Sequence, residues 1–125
     1  METIVRALVG LSGLFFVVLA IAFLLDPTGT ASNLGIGAMA ALGHATLRGD
    51  FFAFFGTAGG LAVLGAIQND GRHLMAPLLL MALALAGRLI TIGLNGFDSS
   101  MVPPMVVEAI AIVLFALGSR SFGKA

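Results

Sequence analysis

The sequence predicts an all-α integral membrane bundle of four transmembrane helices, folded as one domain over residues 1–125. Three observations predict it. Hydrophobic residues make up 59% of the 125 positions and charged residues only 10%, with a mean hydropathy of +1.11. A soluble domain carries roughly 25% charged residues, and so few charges cannot coat a globule of this size. Four apolar blocks follow one another along the chain, each close to the ~20 residues that cross a ~30 Å hydrocarbon core as a helix. Backbone groups in lipid must be paired within the segment, which leaves helices or a closed barrel. The blocks lack the period-two alternation of a barrel.

The first block, Ala7 to Leu25, holds no charge, and Asp26-Pro27-Thr28-Gly29 has the chemistry to stop it. Ala20-Ile21-Ala22 looks like a signal-cleavage site, but Phe23-Leu24-Leu25 extends the run to full spanning length. Ala31 to Gly43 is mildly apolar and glycine-containing, which fits an interfacial or re-entrant helix and equally a plain loop. The second block runs from Phe51 to Ile67 and can start as early as His44; Asn69-Asp70-Gly71 forms a tight turn after it. The third, Leu74 to Leu94, is interrupted by Arg88. After Asn95-Gly96-Phe97-Asp98-Ser99-Ser100, the fourth runs from Met101 to Gly118 and is interrupted by Glu108. Ser99 or Ser100 is placed to cap it, and Pro103-Pro104 suit its first turn. Arg6, Arg72, Arg120 and Lys124 fall on the side of the termini, and Arg48 on the other. The positive-inside rule then puts both termini in the cytoplasm and the protein in an inner or plasma membrane.

Composition excludes several functions. The six basic and six acidic residues balance, and no basic run points to nucleic acid. The chain has no cysteine, so thiolate metal sites and thiol redox chemistry are absent. His44 and His73, the two histidines, fall on opposite membrane sides in this topology and cannot share a metal or a haem; no metal or cofactor is expected.

What remains is a one-sided set of ionisable residues. Arg88 and Glu108 lie on sequential antiparallel helices at a common depth, roughly 6–10 Å below the outer boundary at about 1.5 Å per residue. A lone charge in lipid costs several kcal/mol, so the two are expected to face inward and pair, with the guanidinium fork gripping the carboxylate in a bidentate contact. Arg48, Asp50 and His44 lie at the same outer level, ringed by Asp26 and Asp98. Phe51, Phe52, Phe54 and Phe55 either line an apolar pocket beside them or face lipid. On the second helix, Gly56 and Gly60 have the G-x-x-x-G spacing that lets helices pack closely, either within the bundle or across a homodimer.

Arg48-Gly49 followed by Gly56, Gly87-Arg88-Leu89 with Gly93 and Gly96, and the stretch from Pro103-Pro104 to Glu108 together resemble the small four-helix membrane family called domain of unknown function 4345. The likeness covers nearly the whole chain. It implies a membrane bundle and singles out Arg48, Arg88 and Glu108, and it implies no activity. The functional expectation is binding of a membrane lipid or another lipophilic small molecule at the outer charged site. A membrane enzyme using Glu108 and His44 on a lipophilic substrate, or a small transporter built as a dimer, are the alternatives.

Overall fold

The computed structural model of the chain describes Glu2 to Gly123; Lys124, counted above among the basic residues of the terminal side, lies outside the described residues. Helix α1 spans Glu2–Leu25 and the short α2 Pro27–Ser32. The long helices α3, α4 and α5 span Ala41–Gln68, Gly71–Asn95 and Ser99–Ser121. α3 contains a π turn at Leu47–Phe51, and α4 and α5 each open with a 3-10 turn. Four helices, α1, α3, α4 and α5, are long and apolar enough to cross a membrane. No strand occurs among the described residues.

The four long helices close into a ring in which α1 packs most extensively on α3, α3 on α4, α4 on α5, and α5 back on α1. The α1–α3 contact is set by two glycines. A Cβ added to Gly59 would lie 2.5 Å from the Gly13 carbonyl oxygen, and one added to Gly13 would lie 2.8 Å from the Gly59 carbonyl oxygen. The close approach expected at Gly56 and Gly60 is therefore made by Gly59: nothing lies within 4 Å of a Cβ on Gly60, and Gly56 meets only the Ala20 methyl at 3.9 Å. Above this crossing, Phe55 lies between Phe16 and Phe23, stacked on both with ring centroids 5.9 and 5.7 Å apart.

Two arginines tie the ends of this antiparallel pair together. Arg6, early in α1, donates from Nε and Nη2 to the Ala66 carbonyl at 3.0 and 2.9 Å, near the end of α3. Arg48, early in α3, donates from Nε to the Leu24 carbonyl at 3.0 Å, at the end of α1. The last carbonyls of a helix have no intrahelical partner, and a cation there also meets the negative end of the helix dipole. Each arginine thus caps the other helix.

The turns follow their local chemistry. Asn69 takes the left-handed conformation with φ 52°. Gly71 is pressed against α5, so that a Cβ there would sit 2.6 Å from the Ser119 carbonyl oxygen. The Asp70 carboxylate accepts from Arg72 Nη2 at 2.8 Å and from the Arg72 backbone N–H at 3.0 Å. The side-chain bonds of Arg72, then its backbone N–H, hold the Asp70 carboxyl at about 2, below its ordinary 3.8. A carboxyl with a lowered folded pKa stabilises the turn above its ordinary pKa and loses that contribution as the pH falls through about 2. An NMR titration of Asp70 should give a midpoint near this value, and Arg72→Ala should return it toward the ordinary range. Before α5, Asp98, rather than Ser99 or Ser100, is the cap: its Oδ1 accepts from the Ser100 N–H at 2.8 Å, which lowers the Asp98 carboxyl pKa. Between Asn33 and Ala40 the chain is irregular. Of the stretch from Ala31 to Gly43, this middle part is a loop, while Ala31 and Ser32 close α2 and Ala41 to Gly43 open α3.

The bundle is tight at the end holding the termini and open at the other. Buried positions run the whole length of α1, from Val5 to Phe23. On α4 they are Gly71, Leu74, Pro77 and Met81, all in its first half. On α5 the first is Glu108. The second half of α4 consequently leans on its neighbours through few side chains, and Arg88 is one of them.

Candidate functional site

Arg88 and Glu108 reach the interior because of where they fall on their helices. Arg88 lies seven residues, two turns, beyond the buried Met81, on the same face of α4. Glu108 begins the inward stripe Glu108, Ala111, Phe115, Gly118 of α5, with the three- and four-residue spacing of one helix face. The two antiparallel helices bring these side chains to the same level, where they pair. Arg88 Nε donates to Glu108 Oε1 at 2.8 Å and to Oε2 at 2.9 Å. The Glu108 side chain is only 9% exposed and that of Arg88 34%.

The pair differs from the expected fork-to-fork contact. One nitrogen, Nε, serves both carboxylate oxygens, and Nη1 and Nη2 of Arg88 donate to no protein group among the described residues. A guanidinium has five N–H donors, so four of them stay available.

Two cavities flank the pair, and Arg88 and Glu108 line both. One, of about 230 Å³, lies toward α1 and α5 and is walled by Phe15, Leu19, Pro103 and Val107. The other, of about 270 Å³, lies toward α3 and is walled by Asp50, Phe51, Phe54 and Ala84. Phe55 and Leu34 contribute to both. Leu34 comes from the irregular loop after α2, at the end of the bundle opposite the termini. Phe51, Phe54 and Phe55 therefore line the charged pocket, whereas Phe52 points away and is 40% exposed.

The structure brings together Arg88, Glu108 and Asp50 from the expected cluster. It does not bring in Arg48, which reaches to Leu24, or His44 of α3, whose Nε2 lies 3.2 Å from Oγ1 of Thr28 in α2; neither lines the two cavities. Asp98 is occupied as a helix cap. Among the described residues no group of three His, Cys, Asp or Glu side chains is placed to hold a metal ion.

No family model, curated protein or solved structure matches the chain. Leu34, Asn33 and Val107 join the site without having stood out in the sequence, and Pro103 and Pro104, read there as first-turn residues, join it as wall residues. The prolines and Val107 share Glu108's helix within five residues, a proximity that pointed to them. Nothing in the Gly-rich stretch around Leu34 marked it.

Chemically, the site presents several N–H donors on a guanidinium whose charge Glu108 already balances, inside aromatic and aliphatic walls. That arrangement suits a molecule with a polar, hydrogen-bond-accepting head and an apolar body. It is less suited to acid–base catalysis, because both Glu108 oxygens are held by Arg88.

Proposed function

We propose that this protein binds an amphiphilic membrane lipid, with the polar head at Arg88 and the apolar part between the helices. The single observation that carries the reading is the one-nitrogen contact of Arg88 with Glu108, which leaves the terminal nitrogens without a protein partner on a side chain that lines cavities of about 230 and 270 Å³. A purely structural ion pair has every reason to use the full guanidinium fork, since unmatched donors in an apolar setting are costly. The distribution of Arg6, Arg72 and Arg120 at the terminal end supports cytoplasmic termini in an inner or plasma membrane, with the site near the opposite surface. Membership of the family called domain of unknown function 4345 belongs to the same proposal.

Native mass spectrometry of the protein released from lipid nanodiscs tests it. The wild-type chain should retain lipid. Arg88→Gln, which keeps bulk but loses the charge, should lower retention about tenfold, the scale of one hydrogen bond to a charged group. Ala84→Trp, which fills the cavity beside α3, should do the same with both members of the ion pair retained. Arg48→Gln, outside the cavities, should leave retention unchanged. Equal retention in wild type and both cavity variants would refute lipid binding at this site.

A further inference from the structure

We propose that the lipid is a zwitterionic phospholipid whose phosphate meets the Arg88 terminal nitrogens, whose ammonium meets Asp50, and one of whose acyl chains runs down the groove between α1 and α5. This rests on lipid binding at Arg88 and adds the head chemistry and the route of the tail.

The head follows from the charges that line the site. Arg88 is balanced by Glu108. Arg48, which would have made the site positive, is turned to the end of α1. Asp50 lines the same cavity as Arg88 and forms no salt bridge among the described residues. The three charges sum to one negative. An anionic head would add repulsion from two carboxylates. An uncharged head would leave Asp50 without a counter-charge. A head bearing both signs matches each group locally: phosphate oxygens accept from Nη1 and Nη2, and the ammonium sits between the Asp50 carboxylate and the faces of Phe51 and Phe54, which attract a cation.

The tail follows from a third cavity. A groove of about 370 Å³ between α1 and α5 is lined by Leu8, Leu11, Ser12, Ile110 and Leu114. It shares Phe15, Phe16 and Val107 with the cavity at Arg88, so the two adjoin. From Leu8 to Leu19 the track covers eleven residues of α1, about 16 Å at ~1.5 Å per residue. That is about half the thickness of a ~30 Å hydrocarbon core, and since Leu8 stands one residue inside the far end of the Ala7–Leu25 block the track runs from the site across the bilayer midplane. Leu11 and Ile110 are 63% and 55% exposed, so the groove is open sideways to the bilayer, and a chain enters it laterally while the head stays at the outer level.

The test uses the full chain in nanodiscs of equal phosphatidylcholine and phosphatidylglycerol with identical acyl chains, read by native mass spectrometry. Wild type should retain phosphatidylcholine over phosphatidylglycerol by about fivefold or more. Asp50→Asn should bring that ratio close to one while total retained lipid persists, and Val107→Trp, which blocks the junction of groove and site, should cut retained lipid about tenfold. Asp50 is exposed, and its substitution leaves the core intact. Retention that depends on Arg88 yet shows no preference, or favours phosphatidylglycerol, overturns the head assignment and leaves lipid binding standing. Unchanged retention in Val107→Trp overturns the groove. Retention independent of Arg88 removes both readings.

Discussion

Gly59→Ala is expected to destabilise the bundle by about 1–3 kcal/mol, the range for overpacking a close contact. Gly60→Ala is expected to leave stability unchanged or raise it by up to about 1 kcal/mol, the helix-propensity gain of alanine over glycine. The two positions are adjacent and chemically identical, so the opposite signs come from geometry alone. A methyl at Gly59 would lie 2.5 Å from the Gly13 carbonyl oxygen and 2.6 Å from the Val17 nitrogen. Both are backbone atoms and cannot rotate away, so α1 and α3 must separate. Separation loosens the stack of Phe55 on Phe16 and Phe23 and lengthens the caps made by Arg6 and Arg48. In lipid there is little hydrophobic drive to reclose the gap, since helix association there depends on packing. Gly13→Ala should behave like Gly59→Ala. The double substitution should cost less than the sum, because the first already opens the crossing. Reversible unfolding in mixed micelles measures all four. A Gly59→Ala protein as stable as Gly60→Ala would contradict the crossing point.

That contrast also shows what was legible in the residues. Apolar length and turn chemistry were enough to place four helices, because lipid leaves a backbone few other options. The Arg88–Glu108 pair was legible as well: a charge at depth must find a partner, and antiparallel neighbours fix a common depth. The glycine contact was not. G-x-x-x-G spacing is a property of one helix, whereas the contact depends on which face the partner approaches, and the partner's share is a lone Gly13 on α1. Arg48 shows a related limit. Its depth matched that of Asp50, but depth carries no information on direction around the helix. The π turn at Leu47–Phe51 shifts the helical phase at this point, so a regular wheel drawn back from Gly56 does not predict that Arg48 reaches α1. The loop after α2 was illegible for a simpler reason: a short apolar, glycine-rich stretch has no periodicity from which to infer that Leu34 lines a charged site.

The largest expected effect is at the ion pair itself. Arg88→Ala leaves the Glu108 carboxylate, 9% exposed, without a partner, and should destabilise the protein by about 3–5 kcal/mol, as for other buried pairs broken on one side. Glu108→Leu should cost less, about 1–2 kcal/mol, because Arg88 is already 34% exposed and its long stem can carry the guanidinium toward the outer interface. The joint variant Arg88→Met with Glu108→Leu should regain most of the loss and approach wild-type stability, since apolar residues of similar volume often replace a buried pair without penalty. The same joint variant should retain no lipid at the site. Stability and binding therefore part company: a pair kept only to hold α4 against α5 would be dispensable once both members are exchanged, while a pair kept to hold a lipid head would not. Unfolding free energies for the two single variants and the joint variant, alongside retained lipid, decide between these outcomes.

Lipid binding at this site requires Arg88 and Glu108 to meet inside the bundle when the protein sits in a bilayer. Solid-state NMR on the protein in lipid bilayers, with arginine labelled by 15N and the glutamate carboxylates by 13C, measures this directly. The chain has only two glutamates, Glu2 and Glu108, and Glu2 takes part in no ion pair among the described residues, so close-range dipolar coupling belongs to Glu108. The contact of 2.8 Å between Nε and Oε1 predicts strong dephasing at the arginine Nε resonance and weaker dephasing at the terminal nitrogens, all of it lost in Glu108→Gln prepared with the same labels. Absence of dephasing at Nε in the wild-type protein would contradict the paired site, and with it the lipid-binding function built on that site.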